Sequence, residues 1–167
     1  RTTHPRPAPM SSLLLVLALG LAHATSPLLP PPVEPRADPD RVYRVYVGAE
    51  SADLVHRVRL GPDGLSVEKT IPVGEMATEN EGPHGFNVSP DGRHWYMSTG
   101  HGVPDGKLWK FEAGADTLVA EPILLGWFPA TVDLTPDGLY AFVVNFNLHG
   151  EMVPSTVSVV YTPDMIE

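Results

Sequence analysis

The run Phe86-Asn87-Val88-Ser89-Pro90-Asp91-Gly92 returns as Val132-Asp133-Leu134-Thr135-Pro136-Asp137-Gly138, with Pro90 and Pro136 separated by 46 residues. In each copy Pro presets φ, Asp can bond its own backbone, and Gly supplies a positive φ, so the chain must reverse tightly between two extended segments. The segment after each turn carries an aromatic residue: His94-Trp95-Tyr96-Met97-Ser98 in one copy and Tyr140-Ala141-Phe142-Val143-Val144 in the next, with Arg44-Val45-Tyr46-Val47-Gly48 as a third version. Tyr46, Tyr96 and Phe142 share one repeat position. Strand alternation then puts them on one face, where they pack between neighbouring sheets.

A 46-residue period with a hairpin in each copy is the spacing of four-stranded blades in a β-propeller. The expected fold is therefore all-β, with antiparallel blades and about two and a half of them present out of a seven-bladed ring. Within each blade the strands are labelled A to D from the centre outward. Leu54 to Leu60 and Lys107 to Phe111 read as C strands, Ser66 to Val73 and Leu118 to Leu125 as D strands. The first blade lacks its A strand, and the third stops around its C strand at Val157 to Tyr161. The distribution of 19 prolines and 15 glycines between short β-branched and aromatic runs agrees with many short strands and frequent turns.

Residues 41–167 form the expected propeller segment, and two different segments precede it. Leu13 to Leu21 is a nine-residue apolar run followed by Ala22-His23-Ala24, which fits a secretory signal cleaved near Ala24. It is far shorter than the ~20 residues a membrane helix needs, so no transmembrane segment is expected in the mature chain. Residues 25–40 are too rich in proline to pair in a sheet and read as an extended linker. Export implies a periplasmic or secreted protein. The chain starts on Arg1 and breaks off within its last motif, so it reads as a fragment.

The formal charge of −9, from 20 acidic and 11 basic residues, argues against a nucleic-acid partner, because binding phosphates requires Lys and Arg to displace counterions. The absence of cysteine excludes disulfides, thiolate metal sites and a cysteine nucleophile.

Val45-Tyr46-Val47, Thr70-Ile71-Pro72-Val73-Gly74, Gly82-Pro83-His84-Gly85, Val88-Ser89-Pro90-Asp91-Gly92 and Ser155-Thr156-Val157-Ser158-Val159-Val160 resemble the YVTN-repeat propellers. That resemblance extends to the lactonase-like propellers and to the propeller domains of cytochrome cd1 and nitrous-oxide reductase. It implies the fold over roughly Arg41 to Asp164 and leaves activity open, since one propeller architecture hosts unrelated functions. The family's Tyr-Val-Thr-Asn hallmark stands here as Tyr-Val-Gly-Ala, Tyr-Met-Ser-Thr and Phe-Val-Val-Asn.

Blade order assigns the loops to sides. The D-to-A and B-to-C connections emerge on one face and the Pro-Asp-Gly turns on the other. The first face collects Glu81 from the loop Gly74 to Pro83, which leads to His84 at the inner rim, His101 with Asp105 from one B-to-C loop, and Asn147 with His149 from the next. Trp127, ahead of Phe128 and Pro129, adds an aromatic wall or an inter-blade packing group. His84 starts an innermost strand, beside the central channel. His84, His101 and His149 can be read as ligands of copper or another metal, as acid/base groups, or as loop residues bonded to backbone and water. No ligand spacing decides among these, and nothing in the sequence requires a cofactor.

Three functions follow from this pattern. The first is a binding or scaffold module whose acidic, His-containing loop face takes a protein, small-molecule or cell-envelope ligand. The second is a lactonase-like hydrolase, and the third a propeller domain that binds a metal or redox cofactor. There is no phosphate loop, nucleophile elbow or His-Glu-x-x-His motif.

Overall fold

The computed structural model describes residues 40–76, 78–101, 105–147 and 154–167. The expected signal segment and nearly all of the expected linker lie outside these residues, as does His149.

Among the described residues ten strands form three antiparallel sheets in sequence order. Blade 1 consists of β1 (Tyr43–Ala49), β2 (Leu54–Gly61) and β3 (Gly64–Pro72). Blade 2 has β4 (Phe86–Val88), β5 (His94–Thr99), β6 (Lys107–Glu112) and β7 (Ile123–Leu124). Blade 3 has β8 (Pro129–Leu134), β9 (Tyr140–Asn145) and β10 (Thr156–Tyr161). These are the strands B-C-D, A-B-C-D and A-B-C of three consecutive propeller blades. The repeat therefore sets both strand order and direction.

The two repeated hairpins agree bond for bond. Gly92 N donates to Ser89 O and Gly138 N to Thr135 O, both at 2.8 Å, with φ of 71° and 72° at the two glycines. The Ser89 and Thr135 hydroxyls bond Asp91 and Asp137 at 2.6 and 2.5 Å, and each carboxylate accepts the backbone N–H two residues on at 3.0 Å. A third Pro-Asp-Gly, Pro62-Asp63-Gly64, closes the β2–β3 reversal instead, where Gly61 faces Gly64 across the turn. The tripeptide encodes a reversal, and its place in the blade comes from the surrounding strands.

One expected element is interrupted. Residues 118–125 hold only a single bridge, Leu118 to Phe111, and the two-residue β7, because the register slips by two positions between them. Pro122 interrupts the run and has no N–H to offer the ladder.

Burial follows the stacking of blades. β5 is buried on both sides from Trp95 to Thr99, whereas β9 alternates exposed and buried residues. Trp95 and Met97 join Val55, Ile71, Trp109 and Phe111 against blade 1, and Trp95 stacks on Phe111 at 4.0 Å and on Tyr46 at 4.6 Å between ring centroids. On the other side Tyr96 joins Leu108, Val132, Val143, Val160 and Met165 against blade 3. Tyr46 and Tyr96 thus fill inter-blade space as the repeat predicts. Phe142 is 43% exposed, because no further sheet of the described residues covers its face of blade 3.

Candidate functional site

The D-to-A and B-to-C connections meet on one face, held together by backbone and carboxylate bonds. Asp53, left-handed at φ 49°, accepts Glu81 N at 3.1 Å and Gly82 N at 2.7 Å, one on each oxygen. This ties the loop entering blade 2 to the β1–β2 connection of blade 1. Asn80 Nδ2 adds a bond to Ser51 O at 2.7 Å. Glu81 is 4% exposed, and its Oε1 accepts Glu75 N and Met76 N at 2.6 and 2.8 Å. Its carbonyl takes Gly100 N and His101 N at 2.7 and 2.8 Å. Glu81 therefore folds its own loop and fixes where His101 begins. The Glu75 side chain forms an ion pair with Lys107.

On this frame three blades bring side chains together. Glu50, in the 3₁₀ turn Glu50–Ala52 of blade 1, places Oε1 2.5 Å from His101 Nδ1 and 3.8 Å from His84 Nε2. His84 Nδ1 faces Ala130 O at 3.2 Å, so that nitrogen is the donor and Nε2 is turned toward Glu50. Phe128 of blade 3, left-handed at φ 49° and 7% exposed, meets both imidazoles edge-on, at 4.9 Å from His84 and 5.6 Å from His101. The result is a carboxylate between two imidazoles over an apolar ring. Gly82 makes the approach possible: a Cβ there would lie 2.7 Å from the Cβ of His101 and 3.0 Å from Cγ of Glu50.

The other candidates lie around this cluster in different states. Trp127 is half-buried and uses its carbonyl to accept Asn147 N at 3.1 Å, while Phe128 O accepts Phe146 N at 2.8 Å. These two bonds repeat in blade 3 the loop pairing that Glu81 makes in blade 2. Asn147 is half-buried with φ 55°, and Asp105 is exposed ahead of β6. Among the described residues no group of three His, Asp or Glu side chains has metal-ligating geometry. A shallow groove of about 350 Å³ runs outward from the cluster between Glu50, Thr78, Asn80 and His101.

Sequence reasoning paired His84 with His101 on one face and missed their shared carboxylate. Glu50 was legible in principle: it occupies the β1–β2 connection, the same B-to-C position in blade 1 that His101 occupies in blade 2. Phe128 carried no separate signal beside Trp127, because nothing local shows which of two adjacent aromatic rings turns inward.

No protein-family model matches the chain, and no curated protein matches it. Among solved structures it is similar to the hydrazine synthase of Kuenenia stuttgartiensis, with a TM-score of 0.60 and 19% identity over 74% of this chain and 32% of that one. It is also similar to a protein assigned as a 6-phosphogluconolactonase from Bacteroides fragilis, with a TM-score of 0.54 and 19% identity over 72% of this chain and 34% of that one. The chain spans about a third of the length of each. Likeness at this identity is likeness of fold, and it agrees with three successive sheets joined as blades. The described chain is a segment of a β-propeller.

Proposed function

We propose that this chain belongs to an exported propeller that works as a binding module, with the acidic loop face as its contact surface. The observation that carries the reading is the convergence of Glu50, His84, His101 and Phe128 from three different blades, beside an open groove rather than a closed pocket. Rigid sheets holding polar loops at one end are a common basis for recognition. A carboxylate flanked by two hydrogen-bonding rings and an aromatic wall suits a polar ligand that donates hydrogen bonds or carries positive charge. A protein segment, a small molecule or cell-envelope material can meet that description. Export rests on the apolar run Leu13 to Leu21 and Ala22-His23-Ala24. Among the described residues no helix is long and apolar enough to cross a membrane.

A hydrolase is the second reading, favoured by the 2.5 Å contact between Glu50 and His101, which pairs a carboxylate with an imidazole as acid/base chemistry requires. One of the similar folds is assigned as a 6-phosphogluconolactonase. A metal or redox role would need ligands beyond Glu50, His84 and His101, with His149 the remaining candidate.

The discriminating experiment uses the full chain and its His84→Ala and Glu50→Gln variants. The binding-module reading expects no stoichiometric copper, zinc, iron or calcium after dialysis, no turnover of a δ-lactone, and an unchanged fold in His84→Ala. Metal that survives dialysis and is lost in His84→Ala would replace it with the metal reading, and lactone turnover lost in Glu50→Gln would replace it with the hydrolase.

A further inference from the structure

The two interfaces between blades are built by the same hairpin, yet they carry opposite chemistry. The turns at 113–116 and 162–165 are closed alike, by Glu112 N to Thr117 O at 2.9 Å and by Tyr161 N to Ile166 O at 2.7 Å. In each the fourth residue is left-handed and buried against the preceding blade: Asp116 with φ 56° and Met165 with φ 51°. Each faces a cross-strand pair at one repeat position, Tyr46 with Arg57 in blade 1 and Tyr96 with Lys110 in blade 2.

At the first interface the charges close. Asp116 accepts Tyr46 OH at 2.7 Å and Arg57 Nη1 at 2.5 Å, and Lys69 Nζ lies at 3.4 Å. At the second, Met165 stands where the carboxylate would be. Lys110 is only 7% exposed, its Nζ donates to Thr162 O at 2.9 Å, and it lies 6.0 Å from the centre of the Tyr96 ring. Asp91 and Asp164 act on it only through space, and burial pushes its pKa down. A buried ammonium without a carboxylate is disfavoured unless it gives up its proton or an anion joins it.

Lys110 also lines a cleft of about 520 Å³ between blades 2 and 3, on the Pro-Asp-Gly face and away from the His cluster. The carboxylates at its rim are already engaged: Asp91 by Ser89, Arg93 N and the Arg93 side chain, Asp137 by Thr135 and Leu139 N. His94 also lines the cleft, its pKa held down by burial and by Lys110. Both walls of the cleft belong to this chain.

We propose that this cleft binds a small oxyanion, a carboxylate or phosphate group, whose negative charge meets the Lys110 ammonium in the place that Asp116 holds for Arg57. The test is thermal unfolding of the full chain in acetate, inorganic phosphate or chloride at equal ionic strength. A site predicts that Tm rises by several degrees with acetate or phosphate relative to chloride. Lys110→Met, which removes the charge at similar volume, is expected to lose that rise. Met165→Asp, which supplies an internal carboxylate at the turn position of Asp116, is expected to lose it as well. In chain labelled with ¹⁵N-lysine, the Lys110 Nζ resonance should shift on adding the effective anion. A rise that survives in Lys110→Met, or a wild-type chain with neither a rise nor an Nζ shift, would overturn the proposal. Should Lys110→Met fail to fold, Met165→Asp and the Nζ resonance decide it. Acetate acting without phosphate would identify carboxylates as the ligand class, and the reverse would identify phosphates.

Discussion

At the scale of single residues, the repeated hairpin divides its work between a glycine and a carboxylate. Gly92 sits at φ 71° with open space where a Cβ would go, so Gly92→Ala carries the left-handed backbone penalty alone, about 1–2 kcal/mol. Urea denaturation of the variant should show that loss. Gly82, at φ 64°, has the same backbone demand and a clash with His101 besides, so Gly82→Ala should cost more and also shift the His101 imidazole resonances, which Gly92→Ala leaves in place. The turn carboxylates have their own pH signature. The Ser89 hydroxyl and the backbone and side chain of Arg93 hold Asp91 well below the usual carboxylate range, and the Thr135 hydroxyl with Leu139 N lowers Asp137. Groups depressed in the folded state stabilise it above their unfolded pKa of about 3.9, and that contribution is lost as pH falls through the lower folded values. Thr135→Ala should therefore raise the Asp137 pKa toward the ordinary value in an NMR titration and leave Asp91 unmoved.

At the scale of elements, the joint between blades 1 and 2 is a carboxylate clamp set in an aromatic stack. The Asp116 side chain is fully buried among Arg57, Lys69, Tyr46 and the Trp95 indole N–H, which it accepts at 3.3 Å. Removing it leaves Arg57 with the Glu68 carboxylate at 3.1 Å as its remaining ion partner, so the loss is that of charged hydrogen bonds, about 1.5–3 kcal/mol, rather than that of an uncompensated buried cation. Asp116→Ala should lose about that much in chemical denaturation. The change should also alter Trp95 fluorescence, since Trp95 touches both the carboxylate and the Tyr46 ring. In the sequence Asp116 lies in an Ala-Gly-Ala-Asp-Thr stretch that reads as an ordinary polar turn, and no local pattern separates it from Asp63, Asp91 or Asp137. Its role arises only once blade 1 is stacked against blade 2.

At the scale of the whole molecule, both flanking blades leave apolar surface uncovered among the described residues. Val45, Val47 and Val67 are exposed on blade 1, and Tyr140, Phe142, Val144, Val157 and Val159 on blade 3. Surfaces of this kind bury themselves on whatever sheet is available. A fragment covering residues 40–167 should self-associate on size exclusion with light scattering. Changing the cross-strand pair Phe142→Glu and Val159→Lys should raise the monomer fraction. A cooperative, monomeric melt of the unmodified fragment would contradict the prediction. Phe142 shows why the aromatic repeat could be read for its place but not for its burial: its position matches Tyr46 and Tyr96, yet among the described residues only the latter two have a neighbouring blade to face.

Strand order, hairpin chemistry and the side of the sheet to which each loop belongs were determined by the sequence alone, because they depend on turn geometry and a two-residue alternation that act within a few residues. The Glu50 carboxylate between His84 and His101, the inward turn of Phe128, the Asp116 clamp and the unmatched charge of Lys110 were decided only by tertiary structure. Each depends on how closely one sheet packs on the next, across separations in sequence that no local pattern encodes.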